Sequence, residues 1–87
     1  MEMLKLAADQ GDAAAQRILG GMHRDGRGVA QDVKRAAVLF KLAADQGFDA
    51  AQVNLGSMHF DGRGVAQDDK RAAALFKLAA DQGGAAA

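Results

Sequence analysis

Few residues in this chain carry the elements of chemistry, and most of them occur twice. His23-Arg24-Asp25 spells the triplet of a phosphotransferase catalytic loop, and the corresponding stretch 36 residues later reads His59-Phe60-Asp61. That loop needs a following Leu and a later Asn to set its base and its metal. Here Gly26-Arg27-Gly28 follows instead, and the second copy has lost the Arg. Gly26-x-Gly28 is too short for a dinucleotide fingerprint, since Gln31 stands where the third glycine belongs and no strand precedes it. A nucleophilic triad has nothing to start from: Ser57 is the only serine, Thr and Cys are absent, and Ser57 aligns with Gly21 in the other copy. His23 and His59 bring one imidazole per copy, too few ligands for a closed tetrahedral metal site. They read as rings that pack and hydrogen-bond locally. The chain is therefore read as non-catalytic, with no cofactor and no metal.

The elements around these residues are helices. In 87 residues, 49% are hydrophobic, yet 21 of those are alanine, and Pro, Trp, Tyr and Cys are absent. Alanine favours helix strongly and buries little surface, so a helical chain with a thin core follows. Eleven basic and eleven acidic residues interleave to a net charge of zero. A nucleic-acid partner normally calls for a basic excess gathered in a stripe, and none is present. No apolar run approaches the ~20 residues that span a bilayer, and the first residues show no signal-peptide pattern. Neither nucleic acid nor membrane is expected as a partner. The compartment is left open, leaning to the cytoplasm.

Self-similarity organises the rest. Gly11–Gln46 aligns with Gly47–Gln82 without a gap, and 28 of the 36 positions are identical. Residues 1–10 end in KLAADQ, the same run that closes both repeats, so they form a partial repeat; 83–87 are the start of a further repeat or a tail. Together, 1–87 make one repeat domain. Each repeat predicts two helices. The first runs over Ala13–Arg24 with Asp12 as N-cap and stops in Asp25-Gly26-Arg27-Gly28; the second follows Asp32, another N-cap, and stops at Gly47. The copies are Asp49–Phe60 and Asp68–Gln82. Ala15, Leu19 and Met22 form one apolar stripe, and Ala36, Leu39, Phe40 and Ala43 form the other. Gly20 and Gly56 fall inside helices, at a cost of up to ~1 kcal/mol each relative to Ala, which points to a neighbouring helix passing close by.

The run KLAADQGFDAAQVNLGSMHFDGRGVAQD over Lys41–Asp68 resembles the Sel1-like repeat, through its AAxQG, AQ, LG, M, GxGV and QD elements. The resemblance covers almost the whole chain. It implies an all-α fold, an α/α solenoid of antiparallel helix pairs in 36-residue repeats related in shape to tetratricopeptide repeats. It also implies a scaffold or adaptor role in protein–protein complexes. The chain departs from the pattern where His23 and His59 replace Tyr, Ala30 and Ala66 replace Pro, and Leu39-Phe40 and Leu75-Phe76 replace Trp/Tyr pairs. The cysteine-paired secreted members of the family are not matched, because no cysteine is present.

Eight positions differ between the repeats, and six of them lie in the first-helix segment: 12/48, 13/49, 17/53, 18/54, 21/57 and 24/60. At 100° per residue, positions 13, 17, 21 and 24 fall within about 80° and point away from Ala15, Leu19 and Met22. That face is free to vary, and first helices commonly line the ligand surface of a solenoid. The expected partner, another protein or a peptide, is therefore assigned to Arg17, Arg24, Val53, Asn54, Ser57 and Phe60. Val53 and Phe60 offer apolar anchors, while Arg17 and Arg24 suit carboxylates. Asp25, Arg27, Asp61 and Arg63 are read chiefly as clamps between adjacent repeats. The alternative is structural self-assembly, with uncapped solenoid ends stacking into homo-oligomers. The chain is also expected to belong to a longer solenoid, because repeats of this kind need caps and neighbours.

Overall fold

The structure is a computed structural model, and it describes residues 1–83; of the expected further repeat or tail at 83–87, residues 84–87 lie outside them. Among the described residues there are five helices and no strand: α1 (Glu2–Asp9), α2 (Ala13–Asp25), α3 (Val33–Asp45), α4 (Asp49–Asp61) and α5 (Asp69–Asp81). α2 and α4 are the first helices of the two repeats, and α3 and α5 the second. α1 is the second helix of the partial repeat. Each helix packs mainly on its neighbours in the chain, which is the order of an α/α solenoid.

Local chemistry sets the boundaries. Asp12, Asp32 and Asp68 each accept a hydrogen bond from the backbone N–H three residues on, at 2.9–3.0 Å. Each thereby satisfies one of the amides a helix start leaves unpaired. The second repeat lacks this cap on its first helix: Phe48 stands at the cap position with no side-chain bond. α2 and α4 end where Gly26 and Gly62 turn left-handed. The following loop then folds back, with the Asp32 N–H donating to the His23 carbonyl at 2.8 Å and the Asp68 N–H to that of His59 at 2.9 Å. Gln31 reinforces the same turn by donating to the Arg24 carbonyl at 2.9 Å.

The core is made largely of alanine, as the composition implies: nine of the fourteen buried hydrophobics are Ala. Small side chains let the helices approach closely, and one large ring fills the space they leave. Phe40 is wholly buried, in a cluster with Leu55 and Met58 of α4. A Cβ at Gly20 would lie 2.8 Å from that ring, so α2 passes α3 where it carries no side chain. The close neighbour expected from Gly20 is thus the aromatic of the same repeat's second helix, and Gly56 repeats the arrangement against Phe76. The repeats join through the loop as well. Gly64, at φ +75°, lies so close to the Val33 carbonyl that any Cβ would overlap it.

Two buried polar side chains tie the first helices to what precedes them. Gln16 donates to the Ala8 carbonyl at 3.1 Å and accepts from Gln46 at 2.9 Å, while Gln52 donates to the Ala44 carbonyl at 3.4 Å. The i, i+4 ion pairs Lys41–Asp45 and Lys77–Asp81 close at 2.9 and 3.0 Å on exposed faces, where such pairs stabilise by only a few tenths of a kcal/mol. The corresponding pair Lys5 and Asp9 does not close.

The two repeats differ in how free their aromatic is to move. Phe40 is locked beneath α4, whereas Phe76 is 37% exposed because no first helix among the described residues covers it. Gly20→Ala therefore forces overpacking, which typically costs about 1–3 kcal/mol. Gly56→Ala, with Phe76 able to swing aside, stays near neutral or gains from helix propensity. Urea denaturation of the two variants checks this order, and equal losses would contradict it.

Candidate functional site

The faces that differ between repeats meet across a groove. Arg17 on α2 donates through Nε to Asn54 Oδ1 on α4 at 3.2 Å, a bond between the two repeats. Beneath it lies a cavity of about 570 Å³ lined by Arg17, Gly21, Arg24, Arg27, Asn54 and Phe40. Phe40 comes from α3, so the groove has first helices as walls and a second helix as its floor. A smaller hollow of about 240 Å³ continues it, shared through Arg24 and Asn54 and extended by Ser57, Asp61 and Arg63.

Arg24 is the most constrained residue of the groove. Its guanidinium meets Asp25 through two nitrogens at 3.0 and 3.2 Å, and its Cζ lies 5.7 Å from the centre of the Phe40 ring. A guanidinium over an aromatic face is attracted by the ring quadrupole. The hydrogen bond from Arg24 holds the Asp25 carboxyl below its ordinary value, opposed by partial desolvation, with the charges of Arg24, Arg27 and Arg63 adding to the lowering. Hydrogen bonds and positive charge favour the ionised carboxylate.

Of the six residues assigned to a partner, four come together here: Arg17, Arg24, Asn54 and Ser57. Val53 and Phe60 line neither cavity. They are 41% and 59% exposed on α4, one repeat along from Arg17 and Arg24. α4 thus presents apolar side chains on two sides, with Leu55 and Met58 buried and Val53 and Phe60 outward. Phe40 escaped the sequence reading as a groove residue, and Arg27 and Arg63 had a ligand role only as the lesser reading. Phe40 was legible only as core, and Arg27 and Arg63 chiefly as clamps; no carboxylate lies within ion-pair distance of either arginine among the described residues, and both line the groove.

The histidines stand apart from any such cluster. His59 Nδ1 lies 3.2 Å from the Ala66 carbonyl, while His23 Nδ1 is enclosed without a partner. No three His, Asp or Glu side chains gather to hold a metal among the described residues, and no described helix is long and apolar enough to cross a membrane. A third hollow, of about 390 Å³, opens on another face of α3 and takes in none of the six.

Comparison with known proteins settles the family. The Sel1 repeat model matches residues 1–12, 13–48 and 49–84. The chain belongs to the Sel1 repeat family. Among solved structures it is similar to a protective antigen of uropathogenic Escherichia coli displaying an SLR fold, at 41% identity and a TM-score of 0.92, over 95% of this chain and 18% of that one. It is similar to a Sel1 repeat protein from Oxalobacter formigenes at 34% identity and a TM-score of 0.81, over 84% and 30% of the two chains. It also resembles Helicobacter pylori cysteine rich protein B at 26% identity and a TM-score of 0.89, over 94% and 62%. The chain therefore spans less than two thirds of each of these proteins. No curated protein matches it significantly. The all-α solenoid read from the sequence is the fold of this Sel1 repeat chain, and Sel1 repeat proteins are generally non-catalytic helical scaffolds for protein interaction.

Asp25 reports directly on the groove. Its depressed value makes a stabilising contribution that is present above the ordinary carboxylate pKa and lost as pH falls through the lowered one. Arg24→Gln removes the main cause, so the Asp25 value should rise toward the ordinary carboxylate range. A carbon-detected NMR titration of the side chain measures this, and an unmoved Asp25 would reject Arg24 as the cause.

Proposed function

We propose that this Sel1 repeat chain is a non-catalytic interaction module, part of a scaffold or adaptor, that holds a protein or peptide partner across α2 and α4. The observation that carries this reading is the convergence of Arg17, Arg24, Asn54 and Ser57, taken from two repeats at positions where those repeats differ, on one groove floored by Phe40. Side chains that do not pack the solenoid are free to specialise, and these are gathered where a ligand finds a concave, partly apolar surface. Val53 and Phe60 extend that surface along α4. A phenylalanine 59% exposed beside a polar groove is the kind of aromatic anchor that dominates interface energetics.

A second reading is end-to-end stacking of copies, supported by exposed apolar residues on α1 and α5: Met3, Leu6, Phe76 and Leu78.

Selection from a displayed peptide library against the protein supplies a ligand for the test. Replacing Arg17, Val53 and Phe60 together by Ala is expected to weaken that ligand at least about tenfold, the size of effect expected when an interface loses an anchor worth more than 1 kcal/mol. All three are surface side chains, so far-UV circular dichroism should be unchanged. Unaltered affinity would remove the proposed surface.

A further inference from the structure

We infer that the groove between α2 and α4 recognises an acidic peptide segment, whose carboxylates are taken by Arg17, Arg27 and Arg63 while Arg24 serves as a fixed part of the wall. The inference rests on the interaction reading above and names the chemistry of its ligand.

The charges argue for it first. The chain as a whole is neutral, with eleven cations and eleven anions. Along the groove this balance fails, because Arg17, Arg24, Arg27 and Arg63 face only Asp25 and Asp61. Of these, only Arg24 is matched by a carboxylate within ion-pair distance, among the described residues. Arg17 spends its Nε on the neutral Asn54 amide oxygen and keeps its terminal nitrogens. Arg27 and Arg63, from different repeats, line the larger and the smaller hollow of the same groove. A guanidinium presents a planar fork that fits a carboxylate with two parallel hydrogen bonds.

Spacing then selects the kind of acid. Arg17 lies about 12 Å along the axis from the end of α2, and Arg27 lies beyond that end, so the free guanidiniums are spread out along the groove. A peptide in the polyproline II conformation advances about 3.1 Å per residue with three residues per turn, so side chains at every third position share one face and repeat about every 9 Å. The larger cavity continues into the smaller through Arg24 and Asn54, which makes a track rather than a single hole. Asp25 and Asp61 beside the track disfavour a continuous phosphate backbone, whose charges they would repel. They leave room for separated carboxylates.

Fluorescence anisotropy with defined probes tests this: a short labelled peptide with glutamate at every third position and serine between, its glutamine counterpart, and a single-stranded ribo-oligonucleotide of equal length. The glutamate peptide should bind, weaken with added salt as exposed charge pairs do, and exceed the glutamine peptide by at least about tenfold, as expected for charged hydrogen bonds. Arg27→Gln with Arg63→Gln should abolish most of that difference with helicity intact, since both side chains lie in loops. No binding of the glutamate peptide, equal binding of the glutamine one, tighter binding of the oligonucleotide, or indifference to the double variant would each overturn the inference. If a library-selected ligand is neutral, sensitive to the Arg17, Val53 and Phe60 changes and insensitive to Arg27 and Arg63, the interaction reading stands and the acidic ligand falls.

Discussion

The approach of α2 to the Phe40 ring is the contact on which most of this molecule turns. Gly20 gives up helix propensity so that α2 can lie against the aromatic, and the ring in exchange fills a space that alanine cannot. From there it reaches in three directions: to Gly20 within its own repeat, to Leu55 and Met58 in the next, and to Arg24 above the groove floor. A chain whose buried hydrophobics are mostly alanine has few large groups with which to join repeats. A single phenylalanine therefore carries intra-repeat packing, inter-repeat packing and the base of the candidate site at once.

The near-identity of the repeats makes their differences informative. Phe40 and Phe76 occupy the same position in the same sequence context, yet one is sealed and the other is partly open. The cause is the presence or absence of a following first helix among the described residues. The capping of α2 and α4 differs for another reason, a change of residue: Asp12 satisfies an amide and Phe48 does not. Burial in a solenoid is a property of neighbours, so equal residues in unequal positions have unequal energetic weight.

The functional reading follows from how a solenoid divides its helix surfaces. One face of each first helix is held by the core, and the opposite face is released from packing. In this chain the released faces of two successive first helices are bridged by Arg17 and Asn54, and the space between them is cationic although the chain is neutral. A scaffold needs no catalytic group for this. It needs a rigid floor and side chains whose own pairings leave donors to spare.

Much of this was written in the sequence. The period, the helix pairs, the caps at Asp12, Asp32 and Asp68, the stops at glycine and the need for a close neighbour at Gly20 all follow from local chemistry, because caps, turns and helical stripes are decided within a few residues. The variable face was legible too, since it needs only the helical repeat angle. What the sequence did not contain was which faces meet. Phe40 as the groove floor, the Arg17–Asn54 bridge, the loop arginines turned to the groove instead of to each other, and the buried glutamines Gln16 and Gln52 depend on the position of one repeat against the next. That position is set by long-range packing of small side chains, where a shift of an ångström changes every partner and leaves no mark on the local pattern.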